Sequence, residues 1–546
     1  MAEEIAFARK ASGLVRGLSM LDAFAVGFMN QGLTPGAWVF ISLGLATFLG
    51  GNIIWATIAS AILAGIGFPL VWGILGASMP RSGGEYVYNS RILHPVVGIA
   101  QSFGDAMIWL IWVMALTPLI IDPGVTMLGQ FMGWDVSWLT NTWYERFLFY
   151  TLFNALSFVF VLFGMKVFAM AQKVIMFFGL GGAAVIGIVL TVTSRAKFTE
   201  HWDAWVAKAD APDLIYHKFA AAVGAEAGLA IPSSSNFGDT VGLMVAASWL
   251  FAYAYSISFI AGEVKRPDKS IIWANVFAIL VPCTFMLWFG FALYHSVGFQ
   301  FLSAASWNDS VNGNGPIAAA EGLPWSTNFI GLAAVMLGSG AFSKFIMAIM
   351  ALSYIAFAIW LVTLSYLAFP RIMFAWGMDR MGPKWFTDIN PRYASPMKNI
   401  ALGFVLGEAL LLYIAFKPDT VINIALTGLQ ITSVFAVTAL SALLFPYRKG
   451  SRGIWDSSPF KKWTLLGVPV IVWGALVNFF YLGVLMYGLL PTQLGGKAAG
   501  GDWGWTMIGA CLDAWVLGVA WYCYWMWRSG RVGVDVGVTY GELPPD

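Results

Sequence analysis

The feature that most constrains this chain is a series of apolar runs, each close to or above the length needed to cross a lipid bilayer. A transmembrane helix needs about 20 predominantly apolar residues. Twelve runs reach that range: 18–48, 52–79, 94–121, 146–164, 168–193, 240–262, 270–297, 339–370, 399–416, 420–446, 463–490 and 503–527. Because backbone polar groups must pair internally in hydrocarbon, the runs predict an all-α polytopic membrane protein with 12 transmembrane helices.

The composition agrees with a membrane environment and excludes several other classes of protein. Hydrophobic residues make up 59% of the chain and charged residues 11%, whereas about 25% of the residues in a soluble domain are charged. So few charges exclude an ordinary soluble enzyme and a disordered chain. A net charge of +2 is also too small for a nucleic-acid-binding surface. The predicted surroundings are therefore membrane lipids, with no nucleic-acid partner.

The positions of lysine and arginine predict the orientation of the spans. If the N-terminus lies inside, 22 of the 30 Lys and Arg residues fall on the inner side. Cytoplasmic loops carry such an excess. The chain is therefore predicted to cross the cell membrane twelve times, with both termini in the cytoplasm.

Cysteine and histidine give no support to a catalytic or metal site. The three cysteines form no C-x-x-C pair, and no two of the four histidines lie three or four positions apart. Such spacings are typical of zinc sites. The sequence also has no Walker loop and no G-x-S-x-G motif. We expect no enzyme activity, no catalytic residue, no metal and no cofactor.

The first apolar run contains a polar interruption. Its middle consists of Met29-Asn30-Gln31-Gly32-Leu33-Thr34-Pro35-Gly36, and non-helical backbone survives in hydrocarbon only around a cavity. Thr34 can cap a new helix that starts with Pro35, which predicts two half-helices, Leu18–Phe28 and Pro35–Phe48. The free N–H groups of the second half-helix favour a carboxylate. The alternative is a continuous helix with a proline kink.

The sixth run contains a cluster of aromatic and hydroxyl side chains. The cluster and the small residues between them comprise Trp249, Phe251, Ala252, Tyr253, Ala254, Tyr255 and Ser256. Ser256 could cap a second half-helix, and the alternative is a packed aromatic stripe. Paired interruptions in the two halves of a transporter point to its binding site. The first and sixth spans correspond if the first ten spans form two repeats of five.

Several motifs resemble those of transporters in the amino acid–polyamine–organocation superfamily, and in particular its amino acid permeases. They occur in the family's order: Arg16 through Ala23 at the start of the first helix, Met79 through Tyr88 with Arg91, His94 and Pro95 in the first inner loop, Phe251-Ala252-Tyr253 and Gly262 through Pro267 at the sixth helix, and Arg371 through Pro396 after the eighth. Together they cover about residues 14–400.

The resemblance implies a five-plus-five inverted repeat with discontinuous helices 1 and 6, two extra C-terminal helices, and alternating access. The implied parts are a cytoplasmic segment 1–17, a first repeat 18–193, an extracellular loop 194–239, a second repeat 240–446, helices 11–12 within 447–527, and a cytoplasmic tail 528–546. The implied substrate is an amino acid or related amine, bound at the two breaks by residues Met29, Asn30, Gln31, Gly32, Leu33 and Thr34 and by the sixth-run residues named above.

Three departures from the family pattern affect the pocket and the coupling. The first break is usually a string of small residues, whereas Asn30 and Gln31 are larger and polar. Ala254-Tyr255 stand where a Gly often follows the sixth-helix Tyr. Gly179 occupies the place of the fifth-helix Lys found in some proton-coupled members. A specificity or a Lys-based coupling scheme therefore does not transfer.

Three carboxylates are candidates for coupling or gating. Asp105 lies in the third span, where an ionisable side chain is costly and is by default a functional hypothesis. It either carries a proton or forms a structural hydrogen bond. Glu85 and Glu263 lie in inner loops rich in Lys and Arg. They either form solvated ion pairs or belong to an inner gate.

Other polar residues have weaker assignments. Glu408 in the ninth span is predicted to contact another subunit or to form a buried structural bond. Ser353 and Thr363 could coordinate Na⁺, but hydroxyls in helices often bond to their own backbone, so the coupling ion is left open between H⁺ and Na⁺. Asn308-Asp309-Ser310 fits a glycosylation acceptor.

The sequence predicts a secondary active transporter for amino acids. Neither break contains a carboxylate, so a neutral or apolar substrate side chain is expected. The alternatives are a transporter of cationic amino acids, polyamines or other amines, and a transporter-like channel or sensor. A membrane-embedded enzyme would need clustered His, Cys or paired carboxylates, which the sequence does not offer.

Overall fold

The computed structural model describes residues 14, 16–208, 211–310, 326–338, 340–418, 426–494, 503–532 and 540. Nine helices in this part of the chain are long and apolar enough to cross a membrane: Ile53–Ser78, Pro95–Met132, Trp143–Leu162, Met165–Val192, Phe237–Glu263, Pro267–Ser296, Ala341–Met378, Met397–Phe416 and Val470–Leu489. A bent pair, Gly428–Leu444 and Lys449–Ser457, would make a tenth. The all-α membrane fold is confirmed, and the count of twelve and the inverted repeat stay predictions.

The first and last predicted spans are also helical. The first consists of two helices, Met20–Met29 and Leu33–Trp38, and the second of these continues as a π-helix, Val39–Leu43, and a last turn, Gly44–Thr47. The last span forms the helix Trp503–Arg531.

Side-chain caps fix where several of these helices begin. Ser19 and Asp22 form a capping box at the first helix, and Thr142 and Glu145 form another at Trp143–Leu162. Asn52 accepts two backbone N–H bonds at the start of the second span. Such caps satisfy N–H groups that have no acceptor within their own helix.

The start of the first helix is bound to the end of the sixth. The backbone N–H of Leu18 donates to the carbonyl of Glu263 at 3.0 Å, and Lys265 returns a bond to Leu18 at 2.8 Å. The first helix also packs along Pro267–Ser296. Following the predicted orientation, we call this the inner end of the bundle. The inner ends of the first and sixth spans are thus neighbours in space.

Shorter elements cover both ends of the bundle. At the inner end lie the loop helix Glu85–Ile92, the 3-10 turn Lys384–Thr387 and a two-stranded antiparallel hairpin, β1 Thr464–Leu465 and β2 Val468–Pro469. At the outer end lie the helices Arg195–Lys208, Tyr216–Ala227, Phe299–Ser310 and Phe329–Val335.

Candidate functional site

The first helix is interrupted, but at a different residue from the one predicted. The second half-helix begins at Leu33, and its N-cap is Gly32 with φ 55°, a left-handed conformation that favours glycine. Thr34 therefore does not cap the helix, and Pro35 is its third residue. The interruption is the short segment Asn30–Gly32, which we call the first-helix break.

The sixth helix is not broken, which corrects the predicted cap at Ser256. The α-helix Phe237–Ala252 continues as an 11-residue 3-10 helix, Tyr253–Glu263. The Ser256 hydroxyl instead donates to the carbonyl of Val26 at 3.5 Å. Runs of 3-10 helix longer than three or four residues are uncommon and often mark a hinge. We call Tyr253–Glu263 the 3-10 segment.

Two hydrogen bonds join the break to the sixth helix. The Asn30 amide donates to the main-chain carbonyl of Tyr253 at 3.1 Å, and the Trp249 indole donates to the carbonyl of Gln31 at 3.1 Å. Asn30, Gln31 and Tyr253 are all buried. The predicted substrate residues of the two spans therefore lie together. The remaining members Met29, Leu33, Phe251, Ala252, Ala254 and Tyr255 are buried beside them.

Several polar atoms at the break have no hydrogen-bond partner among the described residues. They are both amide atoms of Gln31, the Asn30 Oδ1 and the Thr34 hydroxyl. These three side chains are at most 1% exposed. Leaving a buried polar group unpaired costs about 1–3 kcal/mol. The backbone N–H groups of Leu33 and Thr34 also begin a helix, where no intrahelical acceptor exists.

Three tryptophans that sequence reasoning did not select complete the aromatic surroundings. The Trp112 ring lies 4.8 Å from Tyr253 and 6.0 Å from Trp249 between ring centroids. Trp109 and Trp72 lie 6.2 and 6.5 Å from Tyr255. A signal for two of them was present, because positions 105, 109 and 112 share one face of a helix.

Asp105 reaches the sixth helix through one hydrogen bond. The hydroxyl of Tyr255 donates to Asp105 Oδ1 at 3.3 Å, and the carboxylate is 1% exposed. Asp105 therefore contacts the 3-10 segment through Tyr255. A change in the charge of Asp105 would therefore act directly on a side chain of the sixth helix.

Glu85 is a buried acid and not a member of a solvated ion pair. Its side chain is fully buried, and Oε1 accepts bonds from the Trp72 indole at 2.5 Å and the Ser258 hydroxyl at 3.2 Å. Burial raises the pKa of Glu85 to about 7. Glu85 thus holds the 3-10 segment from the loop helix, through neutral donors.

Glu263 forms a buried ion pair. Arg371 donates to its two carboxylate oxygens at 2.8 and 3.3 Å, and both side chains are at most 2% exposed. The solvated alternative for Glu263 is therefore wrong. Arg371 was predicted to follow the eighth helix, but that helix extends to Met378 past Pro370. The pair connects the end of the 3-10 segment with the eighth helix.

The outer end contributes a contact that the sequence did not predict. The Trp38 indole donates to Asp309 Oδ2 at 2.9 Å, and Ser326 donates to Oδ1. Asn308 is 5% exposed, and its amide donates to Thr327 at 3.2 Å. A buried, hydrogen-bonded Asn does not fit a glycosylation acceptor, which corrects that prediction. The helix Phe299–Ser310 instead covers the outer half of the first span.

The remaining polar candidates form local structural bonds. Glu408 accepts hydrogen bonds from Thr151 at 2.7 Å and Asn154 at 2.8 Å, which agrees with a structural role. Ser353 and Thr363 donate to carbonyls of their own helix at 2.8 and 3.0 Å. Both hydroxyls thus bond to their own helix backbone, which is the alternative to Na⁺ coordination.

Comparisons with known proteins agree with the motifs. A search of curated protein sequences gives no match. The family model described as amino acid permease matches residues 25–531, a range that contains the first-helix break, the 3-10 segment and all three candidate carboxylates. With its apolar helices, the chain is a multi-pass membrane protein, and it belongs to the amino acid permease family.

Proposed function

We propose that this protein is a secondary active transporter of amino acids with neutral side chains, working by alternating access across the cell membrane. Membership of the amino acid permease family supports amino-acid transport. The observation that carries the finer proposal is the set of unpartnered polar atoms at Asn30, Gln31 and Thr34. Their burial is costly unless a ligand supplies partners.

These atoms match both ends of a zwitterion. The Gln31 Nε2, the Thr34 hydroxyl and the N–H groups that begin the second half-helix are donors suited to a carboxylate. The Asn30 and Gln31 amide oxygens are acceptors suited to an ammonium group. The break itself contains no charged residue. A substrate with one positive and one negative group thus fits better than one with a single charge.

The walls beside the break favour a neutral substrate side chain. Trp249, Tyr253 and Trp112 pack edge to face or stacked within 6.0 Å of one another. Such rings present a large apolar surface, which matches the apolar surface of a neutral side chain. The predicted roles of Tyr253 and Tyr255 in shaping the pocket rest on the same packing.

We further propose that H⁺ is the coupling ion and that Asp105 carries it. Protonation of Asp105 would remove the acceptor charge that the Tyr255 hydroxyl contacts at 3.3 Å. Because Tyr255 lies in the 3-10 segment, a change at Asp105 reaches the helix that lines the substrate. Glu85 and Glu263 hold the same segment at Ser258 and at its end, which supports a gating role for both.

The test is uptake of labelled neutral amino acids, cationic amino acids and polyamines into proteoliposomes. We expect saturable uptake of neutral amino acids that a proton gradient accelerates. Uptake of cationic substrates only would favour the alternative substrate class. Flux without saturation would indicate a channel, and binding without flux would indicate a sensor.

A matched pair of glutamines tests the site. Gln31→Ala is expected to raise KM by about tenfold to a hundredfold, since a hydrogen bond to a charged ligand group is worth about 1.5–3 kcal/mol. It should not lower the melting temperature. Gln172 is also buried, but it bonds to Asp22 and Trp360. Gln172→Ala should lower the melting temperature and leave KM unchanged. Equal KM values in both variants would contradict the assignment of Gln31.

A further inference from the structure

A second group of buried polar side chains lies at the inner end, away from the first-helix break. Arg91, in the loop helix, binds both carboxylate oxygens of Asp379 at 2.5 and 2.6 Å. Asp379 is the C-cap residue of the eighth helix, directly after Met378. The Tyr86 hydroxyl donates to the same carboxylate at 2.7 Å, and all three side chains are buried.

The fourth member of this group comes from the C-terminal tail. Tyr540 is 9% exposed, and its hydroxyl oxygen lies 3.1 Å from that of Tyr86. Its ring centroid lies 5.1 Å from the Arg91 guanidinium carbon, within cation–π range. Because the single Tyr86 proton goes to Asp379, Tyr540 is the donor to Tyr86. We call Arg91, Asp379, Tyr86 and Tyr540 the tail cluster.

The hydroxyl chain of the tail cluster persists at neutral pH. Burial raises the pKa of Tyr86 and of Tyr540 above the ordinary tyrosine value. Both hydroxyls therefore keep their protons, and the order of donation from Tyr540 through Tyr86 to Asp379 stays the same.

The cluster lies on the two elements that hold the 3-10 segment. The loop helix carries Glu85, which binds Ser258, and the eighth helix carries Arg371, which binds Glu263. Tyr540 therefore contacts the loop helix directly, at Tyr86 and Arg91, and is linked to the eighth helix through their bonds to Asp379. The twelfth span is fixed nearby, because the Trp521 indole donates to the carbonyl of Met381 at 2.8 Å.

We propose that Tyr540 binds back onto the inner end of the bundle and holds the loop helix against the eighth helix, so that both helices keep their bonds to the 3-10 segment. The group that binds Tyr86 and Arg91 is thus Tyr540 of the same chain. Release of Tyr540 then lets the inner end open more often, which speeds transport. The last consequence rests on the proposed transport function, whereas the contact and its effect on opening do not.

The test is hydrogen–deuterium exchange of the purified full-length protein, which needs no substrate. Tyr540→Ala removes one hydrogen bond and one cation–π contact, so amides in residues 85–92 and 377–387 are expected to exchange about tenfold faster. Tyr447→Ala is the matched control, because Tyr447 is an exposed tyrosine in the loop after the tenth span and its removal should leave exchange unchanged.

A second variant guards against a folding defect. A protease site inserted between Val532 and Tyr540 allows the tail to be cut from protein that has already folded. Cleavage is expected to reproduce the faster exchange and to raise the maximal uptake rate with KM unchanged. Unchanged or slower exchange in 85–92 after both treatments would overturn the proposal, even if amino-acid uptake is established. Faster exchange without any amino-acid uptake would uphold the tail contact and contradict the transport function instead.

Discussion

The side-chain amide of Asn30 donates a hydrogen bond to the main-chain carbonyl of Tyr253, across 223 positions of sequence. The bond occupies a carbonyl at the point where the sixth helix changes from α to 3-10 geometry. Each of the two irregular segments thus satisfies a polar group of the other, which is necessary at membrane depth where water is absent. Any movement of the first helix against the sixth must break or carry this bond.

The left-handed conformation of Gly32 is expected to be essential for transport. In Gly32→Ala, the new Cβ would lie 2.8 Å from Leu361 Cδ1, in addition to the strain of φ 55°. Backbone strain of this kind costs about 1–2 kcal/mol, and overpacking a buried site adds about 1–3 kcal/mol. We expect loss of most uptake, measured in proteoliposomes.

Gly133→Ala is the control for that substitution. Gly133 has φ 74°, and nothing lies within 4 Å of its added Cβ. It shares the backbone strain and lacks the clash, so uptake should persist with a modest fall in melting temperature. Equal loss of uptake in both variants would contradict a specific role for the first-helix break.

Breaking the Glu263–Arg371 pair should strongly lower the stability of the inner end. Glu263→Gln leaves a buried guanidinium without its countercharge, which costs about 3–5 kcal/mol, measured as a large drop in melting temperature. Replacing both residues by Met should recover most of that loss, because the protein then buries no charge and the desolvation cost of both charged side chains disappears. The exposed pair Lys218–Asp213 is the control, and Asp213→Asn should have an effect of about 0–1 kcal/mol. A small effect of Glu263→Gln would indicate that the pair is solvated in the working protein.

The folding stability of the protein should depend on pH through the titration of Glu85. Burial raises its pKa from 4.5 to about 7, so the folded protein binds this proton more tightly than the unfolded chain does. The stabilisation is complete below pH about 4.5 and is lost as pH rises through about 7, with a maximum of about 3 kcal/mol.

The isosteric Glu85→Gln variant isolates that effect. Gln keeps an acceptor for Trp72 and Ser258 and does not titrate. The melting temperature of the wild type, measured against that of Glu85→Gln, should therefore fall between pH 5 and pH 8. Parallel melting curves across this range would show that Glu85 is not buried as a neutral acid.

Asp105 is expected to be required for proton-driven uptake and dispensable for exchange. Asp105→Asn cannot release a proton but retains an acceptor for the Tyr255 hydroxyl. Counterflow of labelled substrate should continue while acceleration by a pH gradient disappears. Glu408→Gln is the control, because Glu408 is also a carboxylate within a span and accepts hydrogen bonds from Thr151 and Asn154, away from the 3-10 segment. Preserved pH-driven uptake in Asp105→Asn would remove Asp105 as the carrier.

Much of the candidate site followed from local sequence. The polar run Asn30-Gln31-Gly32 is poor material for a lipid-facing helix, which indicated an interruption around a cavity. The aromatic cluster at Trp249–Ser256 was selected from its composition, and the structure places it beside that interruption. The exact start of the second half-helix did not follow, because Thr34-Pro35 offers good local capping chemistry. In the structure the chain turns two residues earlier, at Gly32, where the left-handed φ of 55° favours glycine and Leu361 leaves no room for a Cβ atom.

Apolar run length and the scarcity of charge determined by themselves that this chain is a helical membrane protein, since both follow from the cost of unpaired backbone and charge in hydrocarbon. The family motifs likewise lie in contiguous sequence. Only the tertiary structure determined the partners of the buried charges, namely Arg371 for Glu263, Asp379 for Arg91, and the neutral donors Trp72 and Ser258 for Glu85. The physical reason is that these partners are far apart in the chain. Whether a carboxylate meets a cation, a hydroxyl or an indole depends on how the helices pack, which local sequence does not encode.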